Sequence, residues 1–169
     1  MLDIAQKYSS ELELLFANTV YDLKYQFYHS SYSEKYIPST DNWNTHEFVS
    51  LDSNDNVIGY IRYGIKRNSY SVGSLCIINF SDNKIVFGKD VAKAIDDIFN
   101  KYNFRKMSYE VFVGNPIEIT YDKLTKRYGG TIVGIKKQHV RLTDGKLYDL
   151  KLYELFRENY IKNKIISRR

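Results

Sequence analysis

The stretch with the most chemistry to offer runs from Ser71 to Gly88, SVGSLCIINFSDNKIVFG, and leads into the run KDVAKAIDDIFNKY. An apolar strand feeds a short polar loop, and the loop opens a helix at Gly88. Ile85, Val86 and Phe87 precede that glycine; Lys89 and Asp90 follow it. A helix starting there turns its unpaired backbone N–H groups back over the end of the strand. Orphan donors and the positive end of the helix dipole then coincide, which suits a phosphate or pyrophosphate. Any strand–loop–helix unit makes such a corner, so the stretch alone assigns no ligand.

The other reactive residue types are sparse. Cys76 is the single cysteine and sits in an apolar run, where it reads as a small buried hydrophobe. No disulfide can form within the chain, and no CxxC or Cys/His pattern suggests zinc, so no metal site is expected. The net charge is +5. Basic residues gather at Lys123, Lys126 and Arg127, at Lys136, Lys137 and Arg141, and at Lys162, Lys164, Arg168 and Arg169. They suit an anionic partner such as nucleic acid or a nucleotide cofactor, and a solvated face is the more ordinary account of each cluster. Nucleic acid is a weak third option, because no RNP-like, helix-turn-helix or zinc pattern accompanies the charge.

These residues need a scaffold, and 169 residues with 43% hydrophobic content predict one domain over residues 1–169 with its own core. No apolar run approaches the ~20 residues of a membrane span, and the N-terminus lacks a signal-peptide pattern. A cytoplasmic protein without a membrane partner is the expectation. Leu2 to Tyr8 reads as a short strand. Ser10 and Glu13 form a capping box, and Leu12, Leu15, Phe16, Val20, Leu23 and Phe27 mark one face of a helix running to about Tyr28. His29 to Thr45 has no steady period and reads as a loop carrying Tyr32, Tyr36 and Trp43.

His46 to Asp52 and Val57 to Ile65 read as strands joined by a turn, and Lys66 to Tyr70 returns the chain to the opening stretch. The helix after Gly88 buries Val91, Ala94, Ile95, Ile98 and Phe99 and ends near Asn103. Lys106 to Val113 is the next strand. Pro116 opens a further helix that stops at Gly129-Gly130. Thr131 to Leu142 and Leu147 to Tyr153 flank an Asp144-Gly145 turn, and a closing helix overlaps the last strand. The order is β-α-β-β-β-α-β-α-β-β, with the fourth and fifth strands parallel across a helical crossover. The fold class is α+β (α/β three-layer): a mixed, mostly antiparallel sheet with helices on both faces.

From Val57 to Tyr153 this arrangement resembles the GNAT (Gcn5-related) N-acetyltransferases, whose fold is the acyl-CoA N-acyltransferase fold. That family carries Q/R-x-x-G-x-G/A between a strand and a helix. The matching residues are Asn83-Lys84-Ile85-Val86-Phe87-Gly88, of which Gly88 fits. Asn115 after the next strand also matches, as does the helix ending in glycine. The final hairpin, with Gly145 before Tyr148-Asp149, resembles the ribosomal-protein acetyltransferases of the family.

The resemblance implies acetyl-CoA as co-substrate in a V-shaped gap between the fourth and fifth strands. It implies that the backbone of Ile77, Ile78, Asn79 and Phe80 pairs with the pantetheine arm. Amides of Lys84, Ile85, Val86, Phe87, Gly88 and Lys89 would take the pyrophosphate, and Asn115 a further part of the coenzyme. The chemistry would be direct attack of a primary amine, on a small molecule or a protein, upon the thioester. That needs orientation, an acid for the leaving thiolate and a path for the amine's proton.

The family's acid falls at Thr125, which cannot serve, so Tyr121 and Tyr128 are the chemical substitutes. For the base the candidates are Glu110, or His46 and Glu47 on the second strand. Glu110 and Tyr109 point to opposite faces, so at most one faces the gap. The alternative is a GNAT-fold protein without catalysis, serving as a binding or regulatory module. A homodimer is one assembly open to either.

Overall fold

The computed structural model describes residues 1–20, 22–28, 36–37, 39 and 41–166. Tyr21, Tyr32, Arg168 and Arg169 lie outside the described residues. Among the described residues seven strands form one sheet: β1 (Leu2–Ile4), β2 (Thr45–Leu51), β3 (Val57–Lys66), β4 (Ser71–Asn79), β5 (Lys106–Phe112), β6 (Thr131–Arg141) and β7 (Leu147–Phe156). Their spatial order is β1-β2-β3-β4-β5-β7-β6. β4 and β5 are the parallel pair, as the crossover requires, and the other pairings are antiparallel. The last hairpin inserts β7 between β5 and β6, so β6 becomes the sheet edge.

Among the described residues four α-helices cover the sheet: α1 (Ser9–Thr19), α2 (Lys84–Asp96), α3 (Glu118–Tyr128) and α4 (Arg157–Ile166). The faces they cover follow from neighbouring residues on β3. Tyr60 packs with Leu12 of α1 and Val49, while Ile61 packs with Phe87 and Ala94 of α2. Adjacent strand residues point to opposite faces, so α1 and α2 lie on opposite sides. A third cluster joins Ile95, Ile98 and Phe99 to Met107, Leu155 and Tyr160. Burying apolar area in these clusters is the main drive for the sheet to close over its helices.

The structure corrects three boundaries. The first strand ends at Ile4, because residues Ala5–Tyr8 already form a 3-10 turn. Helix α1 therefore continues an existing turn and uses no capping box; Ser10 lies inside it, and no side-chain bond caps its start. It ends at Thr19, well before Tyr28. Asp22 accepts from Lys24 N at 2.8 Å and starts a separate 3-10 turn, Leu23–Tyr25. At the other terminus β7 runs on to Phe156, since Tyr153 and Leu155 are both buried in strand alternation. The spacing of Leu152, Leu155 and Phe156 imitates a helix only by chance. No helix among the described residues is long and apolar enough to cross a membrane.

Candidate active site

The two parallel strands touch only at their beginnings. β4 and β5 pair at Ser71–Lys106 and Val72–Met107, then diverge. The cause lies in β4. Against β3 the register shifts between Arg62 and Gly64, so the stretch from Gly73 to Cys76 opposes one residue fewer. Ser74 sits at φ 52°, in the left-handed region. Such a bulge bends its strand and strengthens its twist. β5 cannot follow, because β7 holds its other edge through seven pairs from Lys106–Phe156 to Phe112–Leu150.

The wedge is a cleft of about 320 Å³. β4 lines it from Ser74 to Ile77 and β5 from Glu110 to Phe112. Asn115, Ile117 and Tyr121 close one end, and Phe27, Tyr28 and Leu150 complete the wall.

Which backbone groups face the wedge follows from alternation. Phe80 N donates to Ile58 O at 2.9 Å, so Phe80 and Ile78 turn their amides toward β3. Ile77 and Asn79 turn theirs toward the gap. Of the four residues expected to pair with a ligand arm, Ile78 and Phe80 are thus corrected: Ile78 is buried, and the Phe80 ring packs on Phe16 at 5.5 Å.

The helix start is corrected as well. α2 begins at Lys84, one turn before Gly88, because Asn83 caps it: Asn83 Oδ1 accepts from Val86 N at 3.2 Å. Asn79 Oδ1 and Ser81 Oγ brace the loop by accepting from Ser81 N and Asn83 N. Lys84 N donates to Asp82 O and Phe87 N to Asn83 O. In the first turn Ile85 N has no partner among the described residues, whereas Gly88 and Lys89 lie further along the helix.

Phe87 is a core residue. A Cβ on Gly59 would meet its Cε2 at 2.2 Å. Gly88 is different: a Cβ there would meet nothing within 4 Å. An interior helical glycine costs about 1 kcal/mol against alanine, and nothing packed among the described residues demands this one. Open space above a glycine at the start of a helix fits the approach of a phosphate-bearing ligand.

Tyr121 is buried on α3 and lines the cleft. Its ring meets Tyr109 and Tyr153 edge-on at 5.3 and 6.1 Å. Its hydroxyl makes no hydrogen bond among the described residues. Burial pushes that hydroxyl far above the usual phenol range, so it keeps its proton at physiological pH. Thr125 explains itself: its hydroxyl lies 2.6 Å from Tyr109 Oη and donates to Tyr121 O. It locks the acid candidate's helix to the sheet. Tyr128 is corrected, because its ring packs on Tyr160 at 4.6 Å and it does not line the cleft.

Glu110 is exposed and lines the cleft, while Tyr109 is buried on the opposite face, as alternation requires. Asn115 reaches the cleft with its side-chain Oδ1 taking Ile117 N at 3.1 Å. That bond leaves the amide NH2 without a partner among the described residues. Neither His46 nor Glu47 lines the cleft. Glu47 is buried among Tyr60 Oη, Gln6 Nε2, Ser39 N and Arg62. His46 lines a second cavity of about 460 Å³ at the opposite end of the parallel pair, with Trp43 and Arg67.

Among the cleft residues that the sequence does not mark as functional are Phe27, Tyr28 and Cys76. Phe27 and Tyr28 belong to no helix once Asp22 breaks the chain, and only that aspartate signalled it. Cys76 lines the cleft; burial pushes its thiol up to about 11.

No protein-family model matches the sequence, and no curated protein matches it. Solved structures do match in shape. The spermidine N-acetyltransferase of Vibrio cholerae in complex with CoA and spermine superposes with a TM-score of 0.74 over 95% of this chain and 97% of that one, at 19% identity. Mutant forms of the spermidine/spermine N-acetyltransferase SpeG from the same organism reach 0.72 over 97% of each chain, at 20% identity. The chain has the acyl-CoA N-acyltransferase fold. At this identity the likeness is one of fold, and the gap between β4 and β5 is a feature of this chain's own register.

Proposed function

We propose that this chain, as one domain, is an acetyl-CoA-dependent N-acetyltransferase acting on a primary amine. The observation that carries the reading is the wedge between β4 and β5, where two strand edges lie unpaired among the described residues beside Tyr121, Glu110 and Asn115. A neighbour of the same fold binds CoA, which supports the assignment. In this reading the amides and carbonyls of Ile77 and Asn79 hold the pantetheine arm. The start of α2, with Ile85 N free, open space over Gly88 and Lys84 and Lys89 nearby, takes the pyrophosphate. Asn115 offers its amide NH2.

The coenzyme supplies the thioester, and the chain supplies orientation and proton positions. Glu110 takes one proton from the incoming ammonium. The neutral nitrogen then bonds to the acetyl carbon as the carbon–sulfur bond breaks. Tyr121 gives its proton to the departing sulfur, and the second proton lost by nitrogen replaces it. Trimming the site to two adjustable groups fits a reaction that orientation largely drives.

One observation favours a second reading, a binding module without turnover: Thr125 stands at the family's acid position and is spent on Tyr109. The finer likeness to ribosomal-protein acetyltransferases rests on Tyr148 and Asp149. Tyr148 Oη donates to Asp144 and Asp149 pairs with Lys137, so both stabilise the hairpin and indicate no protein acceptor by themselves. Calorimetric titration with acetyl-CoA tests the reading. Saturable binding followed by thiol release with amines supports the enzyme; binding without release supports the module. Absence of binding at millimolar ligand contradicts both.

A further inference from the structure

The cavity at the other end of the parallel pair, where β4 and β5 meet, has chemistry of its own. Its volume of about 460 Å³ is that of a small-molecule site. Ile65 and Phe104 are buried and form its floor, while Trp43 and Tyr70, 68% and 61% exposed, stand at its rim. Tyr70 holds that place at φ 52°, in the left-handed region, which a bulky side chain rarely adopts. Its N–H donates to Arg67 O at 3.2 Å and its carbonyl accepts from Arg105 N at 2.8 Å; these two bonds pin the conformation.

Two cations reach these walls. The Arg67 guanidinium stacks on Trp43 at 3.6 Å and donates to Trp43 O, and Lys101 Nζ lies 5.1 Å from the centre of the Tyr102 ring. Burial lowers the His46 pKa and these two cations lower it further, so the imidazole lining the cavity is neutral at pH 7. Asp41, which also feels Arg67, is bound into the loop: its Oδ1 accepts from Trp43 N and Asn44 N at 3.0 Å each, and its Oδ2 from Asn44 Nδ2 at 2.8 Å. Asn42 Oδ1 accepts from Gln6 Nε2 at 3.2 Å, which leaves the Asn42 amide NH2 to donate. The lining tyrosines, Tyr70 and Tyr102, add hydroxyls. A ring gains from aromatic walls, a carboxylate gains from Arg67 and Lys101 and from amide and hydroxyl donors, and a cation meets like charge. We propose that this cavity is a second ligand site, separate from the cleft, that takes a small aromatic carboxylate.

Trp43 is the chain's single tryptophan, so its fluorescence reports this cavity directly. The test titrates 3-phenylpropionate into the full chain by calorimetry and by Trp43 fluorescence, with 3-phenylpropionamide and 3-phenylpropylamine as the neutral and cationic counterparts. The expected result is saturable 3-phenylpropionate binding, with one midpoint in both measurements, at least about tenfold tighter than either counterpart. Arg67→Gln should erase the preference over the amide. Tyr70→Gly suits the left-handed backbone, so it should keep the melting temperature while weakening 3-phenylpropionate at least about threefold. Saturating acetyl-CoA should leave the midpoint unmoved. No saturation by about 10 mM, equal affinity for the three probes, or unchanged affinity in both variants overturns the proposal. So does displacement of 3-phenylpropionate by acetyl-CoA, which would place the probe in the cleft. The binding arms need no acetyl-CoA, so they stand or fall apart from the acetyltransferase reading.

Discussion

The two ends of the β4–β5 pair carry similar residue types and spend them differently. At the closed end, three contacts engage polar groups within the protein. His46 Nδ1 lies 3.0 Å from Tyr63 Oη, the Arg67 guanidinium stacks on Trp43 at 3.6 Å, and Arg105 N donates to Tyr70 O at 2.8 Å. At the open end, Tyr121 Oη, the Asn115 amide NH2 and the Glu110 carboxylate have no partner among the described residues. The edges of Ile77 and Asn79 add backbone donors and acceptors to that count. Folding normally pairs such groups, because leaving them unpaired and shielded costs about 1–3 kcal/mol each. The difference teaches where a ligand is expected: cleft-facing strand edges and the buried Tyr121 hydroxyl come together at the open end, and the β4 bulge is what leaves them so.

The contrast can be broken by substitution. Tyr121→Phe removes only a hydroxyl. It should lower kcat about 10²-fold or more while acetyl-CoA affinity and melting temperature hold, whereas Trp43→Ala at the closed end should leave turnover near wild type. Equal losses in both would erase the distinction. Gly88→Trp comes next. Its Cβ enters open space, so the fold should survive, and acetyl-CoA affinity should fall at least about tenfold by calorimetry. Unchanged affinity would move the pyrophosphate away from α2.

A smaller effect sharpens the picture through Cys76. Its raised pKa keeps it a thiol at pH 8, so iodoacetamide should label it at least about tenfold more slowly than free cysteine, and CoA should slow it further. Mass spectrometry of the labelled peptide reads the rate. The smallest effect concerns His46, whose pKa is lowered by burial and then by Arg67 and Lys101. The unfolded chain therefore binds this proton more readily than the folded one. Stability is retained above the ordinary histidine pKa and lost as pH falls below about 6.5. His46→Gln should flatten that part of a melting curve taken from pH 7 to 5.

Much of this architecture was legible in the residues. The turn after β2 follows from Asp52, whose Oδ1 accepts from Asn54 N and Asn56 N. The parallel pair follows from the helical crossover. Two features were hidden because long-range contacts decide them, and a third was local and legible. The bulge at Ser74 depends on β3 pairing, and a serine does not announce a positive φ. Asn83 could have been recognised as a helix cap three residues before Val86, which would have placed Gly88 inside the helix. Tyr121 and Tyr128 are equivalent in sequence. Only packing separates them, since α4 occupies Tyr128 and leaves Tyr121 to the cleft.

Amide hydrogen exchange with and without acetyl-CoA tests the open-end account most directly. The account predicts slowed exchange over residues 74–79, 84–88 and 115–121, with residues 42–46 and 67–70 unchanged. Protection centred on the His46–Trp43 end, or none anywhere at saturating acetyl-CoA, would contradict it.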